Sequence, residues 1–151
     1  MAFAWWIDEP LVKGSGNPTD EDLAQLRAQG FTIAVSLLEE SKQPPKYNLK
    51  AAVDAGWSIH SIPIAENQAP SLEQIRDFVA MLACLPKETK VLVFCDSGKG
   101  RTACMGAAYW ITKSLTASDA IARVSEACRA TDWVTADRRR VLDDYARLTK
   151  G

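Results

Sequence analysis

The stretch VLVFCDSGKGRTACMGAAYW, residues 91–110, decides the fold prediction and most of the functional prediction. It begins with a short apolar run, which is typical of a buried strand. Cys95 stands where that run ends, and the segment DSGKG that follows it contains two glycines. From Arg101 to about Lys113 the residues are mostly small and apolar, which predicts a helix. The stretch therefore predicts a strand, a tight loop and a helix, with a cysteine where the strand ends.

The rest of the chain alternates predicted strands with predicted helices. Strands are predicted in AFAWWI (2–7), FTIAVSLL (31–38) and WSIHSIPI (57–64), and a turn-rich loop is predicted in VKGSGNP (12–18). Helices are predicted in PTDEDLAQLRAQG (18–30), NLKAAVDAG (48–56), SLEQIRDFVAMLACL (71–85), TASDAIARVSEACRA (116–130) and TADRRRVLDDYARLTK (135–150). This order predicts an α/β fold with a central, mostly parallel sheet of four to five strands flanked by helices. Ligands of such sheets bind at the carboxyl ends of the strands, which is where Cys95 is expected.

The length and composition of the chain indicate one ordinary globular domain. Its 151 residues lie in the usual size range, so we expect a single domain over residues 1–151. Hydrophobic residues make up 47% and charged residues 25%, which is enough to build a core without disulfides. The formal net charge of −1 argues against the basic face that bulk nucleic-acid binding requires, although it leaves room for a local positive pocket. We therefore expect no nucleic-acid partner.

The cysteines and the termini predict a cytoplasmic protein. Cys84, Cys95, Cys104 and Cys128 form no CxxC pair, and a single histidine leaves no zinc pattern, so free thiols in a reducing compartment are expected. The N-terminal MAFAWWIDEP lacks the features of a signal peptide, and no apolar stretch approaches the roughly 18 residues of a membrane span. Cys84 is a candidate redox partner of Cys95.

The loop after Cys95 has the composition of an anion site. Its candidate phosphate-binding residues are Asp96, Ser97, Gly98, Lys99, Gly100 and Arg101. The two glycines allow unusual dihedral angles, so the main-chain N–H groups can turn inward beside the N-terminus of the helix. Arg101 adds a planar fork of donors that suits a phosphate group. The loop therefore predicts binding of a dianionic phosphate.

The same positive field favours the thiolate of Cys95 and makes it a nucleophile. Thr102 can donate its hydroxyl to that thiolate, so the stretch predicts attack by sulfur on a bound phosphorus. A buried strand-end cysteine and a surface arginine would be the structural alternative, but the strand, the glycines, Thr102 and the helix together favour the anion loop. A Walker A loop is excluded, because Gly100 stands where that motif requires Ser or Thr.

These residues resemble the Cys-x5-Arg-Thr signature of the protein-tyrosine phosphatase superfamily, and the wider chain resembles its small, atypical dual-specificity phosphatases. FAWWIDEPLVKGSGNP resembles the N-terminal strand and loop of that family, GFTIAVSLLEE its next strand, and SIPIAENQAPSLEQIRDFV the loop that supplies the general acid. The resemblance implies the cysteine-phosphatase fold. It also implies that Cys95 is the nucleophile, that Arg101 and the loop bind the phosphoryl group, and that Thr102 assists the thiolate and the breakdown of the intermediate.

The resemblance assigns the general acid to Glu66, which stands where the family usually has an aspartate. A carboxylic acid there would protonate the departing oxygen and then accept a proton from the attacking water. An exposed loop charge is the alternative for Glu66. Asp8, Glu39 and Glu40 are weaker candidates because they lie outside that loop.

The sequence departs from the family pattern at four places. Phe94 replaces the histidine that normally supports the loop, so the resemblance implies a less activated cysteine. Glu66 is one methylene longer than aspartate, and Ala103 replaces a glycine. The segment RATDWVTADRR replaces one that often carries a water-positioning glutamine; Thr135 stands about there but is more typical of a helix N-cap. The run RRR at 138–140 is typical of a solvated helix face.

The sequence predicts a cysteine-dependent phosphatase that acts on phosphotyrosine or other phosphomonoesters, including phosphoserine and phosphothreonine. The resemblance implies that it needs no metal or organic cofactor and works as a monomer on a phosphorylated protein or a small phosphomonoester. The departures from the pattern keep a second hypothesis open, a catalytically weak pseudophosphatase that binds phosphate or phosphoproteins. A sulfur-transferring, rhodanese-like enzyme is disfavoured by the Arg-Thr pair that ends the loop.

Overall fold

The computed structural model describes residues 2–150, which form one sheet of five strands and six helices. The strands are β1 Ala4–Asp8, β2 Val12–Ser15, β3 Phe31–Ser36, β4 Ser58–Ser61 and β5 Lys90–Phe94. The helices are α1 Asp20–Ala28, α2 Leu49–Asp54, α3 Leu72–Ala83, α4 Gly100–Thr112, α5 Ala117–Cys128 and α6 Ala136–Lys150. All the helices predicted from the sequence are present, and the α/β class is confirmed.

The sheet has the strand order β1-β2-β5-β3-β4. β1 and β2 pair antiparallel, whereas the β2–β5, β5–β3 and β3–β4 pairs are parallel, which confirms a mostly parallel sheet. The apolar run of the signature stretch forms the central strand, β5, which is covered on both faces and therefore needs no polar alternation. The carboxyl end of β5, which Cys95 follows, lies between the neighbouring strands β2 and β3.

The prediction of a loop in VKGSGNP is wrong, because Val12–Ser15 form strand β2. Lys13, Gly14 and Ser15 give the segment no apolar periodicity, and its strand conformation comes from pairing with β1 on one side and β5 on the other. Gly14 is required by packing: a Cβ at this position would lie 2.9 Å from Thr102 Cγ2 and 2.9 Å from the Trp5 ring. The strand is thus specified by its neighbours in the sheet rather than by its own side chains.

Side-chain caps begin the helices where the sequence predicts them. Ser71 forms a capping box with Gln74 at the start of α3. Thr116 accepts a hydrogen bond from the Asp119 N–H at 3.1 Å and caps α5. Thr135 accepts a hydrogen bond from the main-chain N–H of Arg138, in the first turn of α6, at 3.2 Å. This confirms its assignment as an N-cap.

The helices form two layers, one on each face of the sheet. Leu92 and Phe94 of β5 pack with residues of α1 and α2 in one core. Val91 and Val93 point to the other face, where α4 is surrounded by α3, α5, α6 and the sheet. Helix α4 is buried along almost its whole length, which explains its small and apolar residues. The loop that precedes α4 is therefore fixed between two buried elements.

No helix within residues 2–150 is long and apolar enough to cross a membrane.

Helix α4 is also tied to β1 by side chains. The Tyr109 hydroxyl donates to the Asp8 carboxylate, and Trp110 Nε1 donates to the Ile7 carbonyl at 3.1 Å. Burial, together with the hydrogen bond to Asp8, raises the pKa of Tyr109 above its ordinary value. A raised tyrosine pKa means that the folded state favours the neutral phenol. Its contribution to stability is complete below the ordinary pKa of about 10 and is lost as the pH rises further.

We therefore expect Tyr109→Phe to lower the free energy of unfolding by about 1–2 kcal/mol at pH 8, because a hydrogen bond to a partly buried carboxylate is lost. The gap between the wild type and the variant should shrink above about pH 10, where the unfolded tyrosine begins to ionise. Urea unfolding of both proteins at pH 8 and pH 10.5 measures this gap. A gap that stays constant over this range would contradict the assignment. Tyr47, whose pKa burial raises to about 12, is present in both proteins and cancels.

Candidate active site

Cys95 lies directly after β5, between the ends of β2 and β3. Its main-chain N–H donates to the Ser15 carbonyl at 3.3 Å, and the Phe94 carbonyl accepts from the Leu37 N–H at 2.9 Å. The residue is 1% exposed and lines a cleft of about 230 Å³. The predicted position of the cysteine at the carboxyl edge of the sheet is thus the observed one.

The loop between Cys95 and α4 is held from outside by its carbonyl groups. The Asp96 carbonyl accepts from the Asn17 N–H at 3.0 Å, and the Gly98 carbonyl accepts from Trp5 Nε1 at 2.7 Å. Gly98 has φ +85°, and a Cβ there would lie 2.4 Å from the Gly16 nitrogen. Only glycine permits both this dihedral angle and this close contact between two main chains.

The N–H groups of the loop remain unpaired. Across residues 2–150, the main-chain N–H groups of residues 96–98 and 100–102 have no hydrogen-bond acceptor, while Lys99 N–H makes only a long contact, 3.4 Å, to Ser97 Oγ. These unpaired N–H groups lie at the N-terminus of a helix, and the loop carbonyls are bound to other residues. Such an arrangement favours the binding of anions. This arrangement matches the anion loop predicted from the sequence.

Arg101 lies in the first turn of α4 and is 3% exposed. Its Nη1 donates to the Ile64 carbonyl at 2.8 Å, which links the guanidinium to the segment before the predicted acid loop. Among the described residues, no carboxylate lies within 4.0 Å of this guanidinium. A buried charge without a counter-charge is costly, so the arginine is placed to receive an anion from outside the chain.

Glu66 lies in the same cleft as Cys95. It stands in a turn in which the Gln68 N–H donates to the Ala65 carbonyl at 3.1 Å, and Asn67 takes the left-handed φ of 65° that the third position of a type II turn requires. The Gln74 side chain holds the preceding segment through a 2.7 Å hydrogen bond to the Pro63 carbonyl. The structure thus brings together the predicted nucleophile and the predicted acid.

The weaker acid candidates lie elsewhere. Asp8 accepts from Tyr109 near the C-terminal end of α4, away from the loop, and Glu39 forms an ion pair with Lys42 at 3.3 Å. Neither these residues nor Glu40 line the cleft.

The remaining predicted site residues differ in their burial and in whether they line the cleft. Thr102 is fully buried, and its hydroxyl has no hydrogen-bond partner among the described residues. Ser97, Lys99 and Gly100 line the cleft, whereas Asp96 is exposed and does not. The Lys99 ammonium lies 5.1 Å from the Phe3 ring centroid, within the range of a cation–π contact.

The cleft also contains residues that sequence reasoning did not assign to a site: Asn67, Asp132, Trp133 and Arg138. The prediction of a solvated face for RRR at 138–140 is wrong for its first residue, because Arg138 is only 5% exposed. The spacing contained the signal, since Arg138 shares a helix face with Leu142 and Tyr145, which are both buried. The prediction of a solvated face rested on the run of three arginines alone and did not take this spacing into account.

The structure does not bring Cys84 near Cys95. Cys84 ends α3, and its neighbours Ala83 and Leu85 line a different cavity together with Val91, at the start of β5. Cys95 follows the other end of that strand, which five residues extend by about 15 Å. The candidate redox pairing of Cys84 with Cys95 is therefore wrong for this fold.

The four thiols should differ in reactivity. Burial raises the pKa of Cys104 to about 12 and also raises the pKa of Cys128, whereas Cys84 is exposed and Cys95 lines the cleft. At pH 7.5 we expect iodoacetamide to modify Cys84 and Cys95 and to leave the other two thiols intact, with mass spectrometry of tryptic peptides as the measurement. Phosphate should protect Cys95 and not Cys84. Modification of Cys104 as fast as that of Cys84 would contradict this ranking.

The contact at Gly98 can be tested with a matched glycine. Gly98→Ala should destabilise the protein by about 2–4 kcal/mol, because it adds a collision with the Gly16 main chain to the strain of a positive φ. Gly30 also has positive φ, at +99°, but a Cβ there would meet only the Lys90 side chain at 3.6 Å. Gly30→Ala should therefore cost only about 1–2 kcal/mol. Equal losses in urea unfolding would show that the close main-chain contact is unimportant.

Comparison with known proteins agrees with the site and the fold. The family model described as "Tc-R-P: Polymorphic toxin system, DSP-PTPase phosphatase" matches residues 11–114, which include both the loop and the segment that carries Glu66. Curated protein sequences gave no match.

Among solved structures, Tk-PTP in the active form is 26% identical, with a TM-score of 0.83 over 95% of this chain and 96% of that one. PTPMT1 in complex with PI(5)P is 18% identical, with a TM-score of 0.86 over 97% of this chain and 96% of that one. Human DUSP28 is 18% identical, with a TM-score of 0.78 over 98% and 95% of the two chains. The sheet, the signature loop and the family match lead to one conclusion: the chain belongs to the DSP-PTPase phosphatases, as a small atypical dual-specificity phosphatase of the protein-tyrosine phosphatase superfamily.

Proposed function

We propose that this phosphatase hydrolyses phosphotyrosine, and other phosphomonoesters including phosphoserine and phosphothreonine, through a cysteinyl-phosphate intermediate. One observation carries the proposal: Cys95 shares a cleft with a buried Arg101 that has no acidic partner among the described residues. The unpaired N–H groups of the loop add donors at the same place. Together they supply the charge and hydrogen bonds that a phosphoryl dianion requires.

In the first step, the Cys95 sulfur attacks phosphorus and forms the P–S bond while the bond to the ester oxygen breaks. Arg101 and the loop N–H groups stabilise the charge on the phosphoryl oxygens as the transition state forms. Glu66, on the exposed side of the cleft, donates a proton to the departing oxygen, so that the product leaves as a neutral phenol or alcohol.

In the second step, water attacks phosphorus, the P–S bond breaks and inorganic phosphate leaves. Glu66, now ionised, accepts the proton of that water. The buried Thr102 hydroxyl, which has no partner among the described residues, donates a hydrogen bond to the departing thiolate. This role gives the orphan hydroxyl the partner that a buried polar group needs.

The departure at Phe94 does not remove the support of the loop. Phe94 is fully buried, and its ring meets the Tyr47 ring edge-to-face at 5.9 Å in the core between the sheet and α1 and α2. Trp5 and Asn17 hold the loop carbonyls instead. The departure at Phe94 therefore gives no support to the alternative in which the protein only binds phosphate.

The test is hydrolysis of p-nitrophenyl phosphate as a function of pH, with EDTA present, for the wild type, Cys95→Ser and Glu66→Gln. We expect a bell-shaped profile for kcat/KM in the wild type and a loss of at least about a thousandfold in Cys95→Ser, because the nucleophile is removed. Glu66→Gln should lower kcat by about a hundredfold or more and remove the basic limb of the profile, because the proton donor is missing.

Asp132→Asn is the matched control, because Asp132 is the other carboxylate in the cleft. It should leave the basic limb in place. If Asp132→Asn removes that limb and Glu66→Gln does not, the acid is Asp132 and our assignment of Glu66 is wrong. If the wild type binds phosphate but shows no turnover with any phosphomonoester, the phosphate-binding alternative replaces the proposed function.

A further inference from the structure

Arg138 is a buried cation in the cleft with no assigned role. It lies in the first turn of α6 and is 5% exposed. Its Nη1 donates to the Trp133 carbonyl at 3.0 Å, and its buried Nε has no acceptor among the described residues. No carboxylate of the described residues lies within 4.0 Å of its guanidinium.

The guanidinium of Arg138 lies against the signature loop. A Cβ at Gly100 would be 2.8 Å from Nη2 and 3.0 Å from Nη1, so only glycine lets the arginine occupy this place. Gly100 directly precedes Arg101, and both arginines line the same cleft. Each guanidinium is also held in the same way, by one hydrogen bond to a loop carbonyl, from Ile64 for Arg101 and from Trp133 for Arg138.

The buried charges of the cleft are positive, whereas its negative charges are exposed. Lys99, Arg101 and Arg138 line it, against the carboxylates of Glu66 and Asp132. The carboxylates are exposed, whereas both guanidinium groups are buried, so solvent screens the negative charges more than the positive ones. Arg101 and the loop N–H groups already suffice for one dianion. A second buried guanidinium without an acidic partner therefore indicates a second anionic group in the ligand.

We propose that Arg138 forms a second anion subsite, so that the cleft prefers a substrate with a further phosphoryl group next to the one that is hydrolysed. This rests on the proposed function, in which the first phosphoryl group is bound by Arg101 and the loop. Arg138 is then a specificity residue: its planar fork binds the neighbouring phosphoryl oxygens, while Cys95 attacks the first phosphorus.

The experiment measures binding without turnover. In the Cys95→Ser background, isothermal titration calorimetry gives the affinities for orthophosphate and for pyrophosphate, whose two phosphoryl groups are adjacent. The same measurements are made after adding Arg138→Gln, Arg138→Lys or Arg140→Gln. Arg140 is the matched control, because it is on the same helix and its side chain is 74% exposed, paired with Asp137 at 3.7 Å. Circular dichroism and thermal unfolding establish that each variant is folded.

We expect Arg138→Gln to lower the pyrophosphate-to-orthophosphate affinity ratio by about ten- to hundredfold, because charge-assisted hydrogen bonds to the second group are lost. Arg140→Gln should leave this ratio unchanged. Equal losses for both anions, or no loss for either, would overturn the proposal, since a merely structural arginine would not change the ratio. If Arg138→Gln does not fold, Arg138→Lys decides: its ratio should fall at least about threefold, because lysine lacks the planar fork.

The proposed function is tested separately by wild-type turnover of p-nitrophenyl phosphate. Absence of turnover, with the affinity ratio still dependent on Arg138, would overturn the phosphatase mechanism and leave the second subsite in place. Turnover, with a pyrophosphate-to-orthophosphate affinity ratio that does not depend on Arg138, would support the phosphatase mechanism and overturn the second subsite.

Discussion

The contact between Gly98 and the main chain at Gly16 is the constraint on which the cleft depends. The main chains at Gly98 and Gly16 are distant in sequence but approach so closely that no side chain fits at Gly98. The approach places Trp5 and Asn17 where they bind the loop carbonyls, at 2.7 Å and 3.0 Å. With its carbonyls held on the outside, the loop keeps its N–H groups free for an anion. A flexible glycine loop without these anchors would lose that arrangement to conformational entropy.

The second constraint is the burial of positive charge. Arg101 and Arg138 are both nearly inaccessible, and each has one of its donors fixed by a loop carbonyl. Buried guanidinium groups without carboxylate partners destabilise the free protein and favour any state in which an anion is bound. The packing of α4 and β5, which are buried along almost their whole length, offsets this loss of stability.

The packing and hydrogen bonds of the protein also show what the residues that depart from the family pattern do in the fold. Phe94 takes part in the apolar core on the far face of the sheet, so it strengthens packing rather than contacting the loop. Ala103 is fully buried in α4, where it packs in the core between that helix and the sheet. Thr135 caps α6 and thereby fixes the first turn that carries Arg138. The segment that lacks the family's glutamine thus brings an arginine to the cleft.

The sequence by itself determined the class of fold and the position of Cys95 at the end of a central strand, and it predicted an anion loop up to Arg101, because those features depend on local patterns of apolar residues, glycines and charge. The family resemblance, rather than a local pattern, pointed to Glu66, which lies on a segment that reaches the cleft. Only the tertiary structure decided that VKGS is a strand, because it lies between β1 and β5, and β5 is about eighty residues away in the chain. The tertiary structure also separated Cys84 from Cys95 and buried Arg138 beside Gly100. Helix spacing in α6 could have indicated that Arg138 is buried, but which elements pack together is not contained in short-range sequence patterns.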